Sequence, residues 1–121
     1  MPPKKIKKGA RVLPLYALPL KQILEKKKDV ETRGAPTHKI DETIYLSLVG
    51  DGRVHGQATI HACLGPLSQA EWDALRPRHL VEDPQPWYGE RTHAWVLTNV
   101  IAYAEPVPFT TRGGQTWQVV S

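Results

Sequence analysis

Apolar and polar side chains alternate over residues 54–64, and this pattern restricts the possible folds of the chain more than any other. Small or apolar residues occupy every second position, and mostly polar residues lie between them: Val54, Gly56, Ala58, Ile60, Ala62 and Leu64 against His55, Gln57, Thr59, His61 and Cys63. Successive side chains of a strand point to opposite faces of a sheet, so the run predicts a long strand with one buried face. Gly50-Asp51-Gly52 precedes it as a hairpin signal, which predicts a partner strand at residues 43–49.

The remaining strands are predicted from shorter patterns. Residues 11–16 and 29–33 have the composition of short strands, and Gly113-Gly114 introduces a last strand at residues 116–120. Residues 92–103 are apolar at both odd and even positions, which is typical of a central strand buried on both faces. Because proline cannot donate to a ladder, Pro106 and Pro108 are expected to end that strand.

Helical spacing appears early in the chain. Leu20, Ile23 and Leu24 recur at the spacing of one helix face, and lysines occupy the other face and the last turn. A short amphipathic helix is therefore expected near residues 17–27.

A second helix is marked by its start signal. Ser68 and Glu71 form a capping box, and Leu67 with Trp72 supplies the accompanying hydrophobic staple. The helix is expected to begin at residue 68, to run to about residue 75 and to stop near Pro77.

These elements predict one α+β domain, a small β-barrel of five to six mostly antiparallel strands with two short helices. The 121 residues are the size of a single domain. Residues 1–10 are rich in proline, lysine and glycine and are predicted to form a disordered basic tail, which leaves residues 11–121 as the domain.

Composition restricts the partners and the compartment. Lysine and arginine number 16 against 12 acidic residues, and four of the 16 lie in residues 4–8, so the net charge of +4 belongs mainly to the tail. Cys63 is the only cysteine, which excludes an intrachain disulfide. Pro14 and Pro19 interrupt the first apolar run, and no later stretch approaches the length of a membrane span. A cytoplasmic protein without a membrane partner is expected.

Metal and nucleophile chemistry has little support. The five histidines show neither a His-x-His pair nor helical i,i+4 spacing, so no metal and no cofactor is expected. Cys63 has no catalytic signature around it, and Glu71 is already explained by capping.

Three charged residues after the first helix form the main candidate site. On a strand, Glu31 and Arg33 project to one face, and Lys28 lies at the turn that precedes it. An acceptor, a fork of donors and a point cation suit a nucleobase edge and a phosphate. A solvated run of ion pairs is the alternative.

Aromatic residues form the second candidate. Trp87 and Tyr88 follow a proline-bearing loop, and aromatic faces stack on bases in single-strand recognition. Gly89 permits close backbone approach. The alternative is that Trp87 and Tyr88 cover one end of the barrel as part of the core.

The order of these motifs resembles the ASCH family. Residues 18–33 look like that family's opening motif, in which a helix runs into Gly-Lys-Lys-Thr-hydrophobic-Glu-x-Arg. Residues 44–48 and 56–60 are similar to its hydrophobic and Gly-x-Ala-x-hydrophobic strands, and residues 93–100 with 105–108 are similar to its closing strand. Trp117 falls where the family often has a tryptophan. The resemblance spans roughly residues 11–120.

The resemblance implies a PUA-like β-barrel with a cleft that receives RNA, and Lys28, Glu31 and Arg33 match the cleft residues. One enzymatic branch of the family removes acetyl groups from acetylated cytidine with a lysine and a threonine; here Lys28 matches the lysine, but Glu31 stands at the threonine position. Other members are ribonucleases, for which Tyr45 or Lys28 are the candidates. Pro19 and Lys26 depart from the family's aromatic residue and glycine at those positions.

The leading hypothesis is a binding module for RNA or a nucleotide, with the basic tail adding attraction to phosphates. Its expected ligand-binding residues are Lys28, Glu31, Arg33, Tyr45, Trp87 and Tyr88. A small ribonuclease or nucleoside amidohydrolase is the first alternative, and a barrel that binds a protein partner is the second.

Overall fold

Six strands in the order β2-β5-β4-β3-β1-β6 form one curled, mixed sheet in the computed structural model, which describes residue 3, residues 5–111 and residues 117–121. The strands are β1 (Arg11–Leu15), β2 (Val30–Arg33), β3 (Thr43–Leu48), β4 (Arg53–Leu64), β5 (His93–Pro108) and β6 (Gln118–Val119). The helices are α1 (Ala17–Leu24), α2 (Gln69–Ala74) and α3 (Arg76–His79), with a 3-10 turn at Gly89–Arg91. β1 runs parallel to β3, and the other strand pairs are antiparallel.

This architecture confirms the predicted α+β class with six mostly antiparallel strands, and it adds one helix. α2 ends at Ala74, before Pro77, as predicted. Pro77 then lies in the first turn of α3 instead of ending helical structure altogether. Proline is tolerated there because the first N–H groups of a helix have no intrahelical partner.

The start of α2 confirms the capping box. The Glu71 N–H donates to Ser68 Oγ at 3.1 Å, and the Ser68 N–H donates to Glu71 Oε1 at 2.8 Å. These hydrogen bonds lower the pKa of Glu71. Leu67 and Trp72 are buried in the same cluster, as the predicted staple requires.

The main core lies between α1 and the sheet. It contains Leu20 and Ile23 from α1 and the apolar face of β1, β3, β4 and β5: Leu13, Leu15, Ile44, Leu46, Ala58, Ile60, Trp95 and Leu97. The apolar faces of these strands pack against α1 on one side of the curled sheet. On the opposite face of β5, α2 and α3 cover another group of buried apolar residues that includes Val30, Ala94 and Val96, called the third apolar cluster below.

Residues 6–10 correct the prediction of a disordered tail. Ile6 is 3% exposed and packs in a second apolar cluster that includes Val12 and Val120. The Gly9 N–H donates to the Val120 carbonyl at 2.9 Å. One buried isoleucine and paired backbone groups therefore hold this segment on the sheet, while residues 1, 2 and 4 lie outside the described residues.

The two long strands follow their predicted patterns only in part. The alternation of β4 persists from Val54 to Ile60 and ends at the last of three register shifts with β5, between Ile60 and Ala62. β5 is buried on both faces only over residues 93–97, because α2 and α3 cover no more of it; Ile101 is 41% exposed. Pro106 lies inside β5, where the strand pairs only with β4, and an unpaired side tolerates proline.

The last strand is shorter than predicted. β6 covers Gln118–Val119 of the predicted residues 116–120, and residue 116 lies outside the described residues. None of the helices that the structure describes has the length and apolar character needed to span a membrane.

Candidate functional site

A cavity of about 780 Å³ opens beside β2, where the end of β1, the start of α1 and the segment after α3 meet. Five of the six predicted ligand-binding residues line it: Lys28, Glu31, Arg33, Trp87 and Tyr88. The structure therefore brings together the charged motif and the aromatic pair, which are more than 50 residues apart in the sequence.

The floor of the cavity is built by the turn from α1 into β2. Lys26 adopts a left-handed backbone conformation (φ 63°) and reverses the chain after α1. The N–H groups of Lys27 and Lys28 then donate to the Gln22 carbonyl, which ends the helix. Strand alternation places Val30 in the third apolar cluster and Glu31 on the side of the cavity.

The charged groups on this floor form one buried cluster. Arg33 Nε and Nη2 both contact Glu31 Oε2, at 3.2 and 3.1 Å, and Lys28 Nζ lies 3.9 Å from Glu31 Oε1. Lys28 also donates to the His79 carbonyl at 2.6 Å. Lys28 is 3% exposed and Glu31 is 7% exposed, which does not fit the alternative of a solvated run of ion pairs.

Burial dominates the electrostatics of this cluster. Loss of solvent lowers the pKa of Lys28, although the Glu31 carboxylate opposes the change. Loss of solvent likewise raises the pKa of Glu31, against the effects of Arg33 and Lys28. Ionisable groups held in such an environment inside a cleft are typical of functional sites.

Arg33 serves mainly to orient the carboxylate. Besides its two contacts with Glu31, it donates to the Pro14 carbonyl at 3.3 Å and lies over the Trp95 ring at 5.8 Å. The guanidinium is held from three directions, so Glu31 is presented to the cavity in one orientation.

The mouth of the cavity is apolar and open to solvent. Trp87 is 58% exposed and Tyr88 is 37% exposed, so the pair is not a buried lid of the core. Other large exposed apolar side chains that line the cavity are Tyr16, Leu18 and Val49. Exposed apolar groups that gather around a cavity are typical of a ligand site, whereas single exposed apolar side chains are common on any protein surface.

Two glycines near this mouth have different roles. A Cβ at Gly34 would lie 3.0 Å from Tyr88 Cδ1, so Tyr88 packs directly on the Gly34 backbone. Gly89 has φ +58° and open space around it, so its backbone needs a left-handed conformation and not the close approach expected from the sequence.

Tyr45 is the predicted site residue that does not line the cavity. It is partly buried against the second apolar cluster, on the side of β3 opposite to Ile44 and Leu46. Strand alternation gives this result directly: the neighbours of Tyr45 point into the main core, so its own side chain points away.

Sequence reasoning missed two parts of the cavity. Tyr16 and Leu18, at the start of α1, form one side of the mouth, and a surface aromatic before a helix was the available signal. Residues 80–83 form the opposite wall, and no sequence motif marks them. Among the described residues, no three His, Cys, Asp or Glu side chains lie close enough together to hold a metal ion.

Comparison with solved structures identifies the fold. The crystal structure of ASCH from Zymomonas mobilis superposes with a TM-score of 0.76 at 17% identity, over 95% of this chain and 90% of that chain. Two variants of that protein, one with tyrosine replaced by phenylalanine and one with serine replaced by alanine, give 0.76 at 16% identity over 94% of this chain and 91% and 89% of theirs. No protein-family profile and no curated protein sequence matches the chain significantly.

The protein therefore has the fold of ASCH from Zymomonas mobilis, a small α+β fold. The resemblance noted in the sequence is confirmed at the level of the fold.

Proposed function

We propose that the cavity binds one nucleotide of a single-stranded RNA, with the base inserted toward Lys28 and Glu31. The observation that carries this proposal is a buried carboxylate, fixed between two cations, at the floor of a cavity whose mouth presents exposed aromatic side chains. A base needs both features, since its edge carries hydrogen-bond donors and acceptors and its faces stack.

The floor offers a donor and an acceptor side by side. Lys28 has three N–H donors and uses one on the His79 carbonyl, while the Glu31 carboxylate only accepts. An edge with one acceptor next to one donor satisfies both groups. A base with the wrong order leaves a buried group unsatisfied, at a cost of about 1–3 kcal/mol.

The depth of each cation refines the roles expected from the sequence. The Lys28 side chain is 4% exposed and the Arg33 side chain is 22% exposed. Lys28 therefore suits the base edge and not a phosphate, which would stay near the solvent. Glu82 and Asp83 also line the cavity, so the local charge gives a phosphate little attraction there.

The size of the cavity fits one nucleotide and no folded RNA element. Small-molecule sites in proteins measure about 300–1,000 Å³, a range that includes this cavity. Trp87 at the mouth is free to stack on the inserted base or on its neighbour in the strand.

Fluorescence titration with four homopolymeric RNA decamers and four nucleoside monophosphates tests the proposal. Wild type is expected to prefer one base, and Glu31→Gln is expected to change that preference because the amide adds a donor. Glu105→Gln, which changes an exposed carboxylate on β5, is the matched control and should bind as wild type does. Equal affinities for all bases in wild type and in Glu31→Gln would contradict the proposal.

The enzymatic alternative is an outcome of the same experiment. Each RNA and nucleotide is recovered after incubation and examined by mass spectrometry. Intact ligand supports a binding module, whereas shortened RNA or a hydrolysed nucleoside assigns a reaction to the site.

A further inference from the structure

His79 is a fully buried imidazole directly behind the cavity wall. It is 0% exposed, although it ends the polar helix α3. Its ring stacks on Trp72 with 4.0 Å between centroids and 24° between planes. A buried histidine of this kind is fixed in one orientation, so its hydrogen bonds determine its tautomer.

Both ring nitrogens of His79 face backbone groups of known polarity. The Val81 N–H, 2.9 Å from Nδ1, can only donate, so Nδ1 carries no proton. The Trp72 carbonyl, 2.8 Å from Nε2, can only accept, so Nε2 carries the proton. The two hydrogen bonds exist together only in the neutral Nε2–H tautomer.

The same residue connects the two sides of the cavity. The His79 carbonyl accepts from Lys28 Nζ at 2.6 Å, 51 residues away in sequence. Leu80 follows with a left-handed backbone (φ 59°), an uncommon conformation for a leucine, and begins the wall formed by residues 80–83. The imidazole thus fixes the Val81 amide in the wall, and the backbone carbonyl of His79 holds the Lys28 ammonium on the floor.

We propose that His79 is a positioning residue of the cavity: its neutral Nε2–H imidazole holds the Val81 amide in the wall at residues 80–83, and its backbone carbonyl holds the Lys28 ammonium on the floor. Ligand binding is lost when that imidazole is protonated. This inference rests on the proposed binding of a nucleotide and adds a residue that does not touch the ligand.

Protonation would place a second N–H at Nδ1, directly opposite the Val81 N–H. The wall would then have to move to separate two donors. Burial lowers the pKa of His79; the Trp72 carbonyl opposes this effect, the Arg76 and Lys28 cations add to it, and Asp73 opposes it. The neutral form is therefore kept at physiological pH, and protonation requires a pH below the usual imidazole pKa.

Two conservative variants separate the two hydrogen bonds. His79→Asn places an amide oxygen near the Nδ1 position and keeps an acceptor for the Val81 N–H. His79→Gln places an amide nitrogen near the Nε2 position and keeps a donor for the Trp72 carbonyl. Neither variant titrates, so each also removes the effect of pH on this residue.

The affinity of each protein for the four RNA decamers is measured between about pH 5 and pH 8. His79→Asn is expected to bind as wild type does at pH 7.5, and His79→Gln on the order of tenfold more weakly, as for one unsatisfied buried N–H. Wild-type affinity should fall as the pH drops below the usual imidazole pKa of about 6.5, whereas that of His79→Asn should fall less. Glu31 titrates in both proteins, so the difference between the two profiles reports on His79.

Hydrogen exchange of the Val81 amide supplies a readout that needs no ligand. Protection is expected in wild type and His79→Asn and is expected to be lost in His79→Gln and in acidified wild type. Equal Val81 protection in wild type and a folded His79→Gln, or an Nδ1–H tautomer in ¹⁵N spectra, would overturn the inference. If no RNA or nucleotide binds wild type, the proposed function fails, and Val81 protection still decides whether His79 positions the wall.

Discussion

Two carboxylates only two residues apart behave very differently in this fold. Asp29 pairs with Arg78 at 2.9 and 3.0 Å, and both side chains are nearly half exposed, at 47% and 44%. Glu31 pairs with Arg33 at a similar distance, 3.1 Å, but its side chain is only 9% exposed. Both are pairs of a carboxylate with a guanidinium, and they differ in their exposure to solvent.

The exposed pair stabilises the fold modestly and needs no other explanation. The Asp29 N–H already donates to the Arg78 carbonyl at 3.2 Å, so α3 is tied to the start of β2 without the side chains. In the buried cluster, burial lowers the pKa of Lys28 and raises that of Glu31, so the pairing of their charges only partly offsets the loss of solvent. Charged groups kept in such an environment beside a cavity support the proposed ligand site.

The largest expected effect comes from breaking the buried cluster. Glu31→Ala leaves the Lys28 and Arg33 cations without their carboxylate, and the free energy of unfolding should fall by about 3–5 kcal/mol. Urea unfolding followed by circular dichroism measures this change. A loss below about 1 kcal/mol would show that the cluster is hydrated like the exposed pair.

Substitutions at the mouth of the cavity should change RNA binding without changing the stability of the fold. Trp87→Ala removes a stacking surface, which should weaken RNA binding by about 1–3 kcal/mol. Trp87 is more than half exposed, so the melting temperature should stay close to that of wild type. Trp87→Phe keeps an aromatic face and should retain most of the affinity; equal losses in both variants would count against stacking.

The pH dependence of stability should also differ between the floor and the surface. Burial raises the folded pKa of Glu31 above its unfolded value, so the folded state holds the proton to higher pH. The resulting stabilisation is complete below the unfolded pKa and is lost as pH rises through the folded pKa. Wild type should therefore lose stability relative to Glu31→Gln as pH rises above the unfolded pKa of about 4. Parallel urea unfolding curves below and above that pH test the sign, and a constant difference would contradict it.

The smallest effect is expected for the exposed pair. Asp29→Asn removes the charge but keeps the shape, and solvent already screens the pair, so stability should change by less than about 1 kcal/mol. RNA affinity should be unchanged, since Asp29 does not line the cavity. Thermal unfolding and RNA titration of this variant provide the control for Glu31→Ala.

Local patterns in the sequence predicted most of the elements of this protein and one segment of its site, residues 28–33. The capping box at Ser68 and Glu71 needs contacts only three residues apart, and the alternation around Glu31 needs only the geometry of a strand. Both were predictable because the interacting groups are neighbours in the chain. For the same reason the pairing of Arg33 with Glu31 was foreseeable as an alternative role.

The surroundings of residues 28–33 depend on contacts between distant parts of the chain. The carbonyls of His79 and Pro14 reach Lys28 and Arg33 from 51 and 19 residues away, and no local pattern records such partners. Tyr45 does not line the cavity because its two neighbours on β3 point into the main core, which directs its own side chain to the opposite face. Ile6 is buried because it packs against the apolar side chains of the second cluster. Burial and long-range hydrogen bonds depend on the whole packed chain, so they decide which charges meet solvent and which line a cavity.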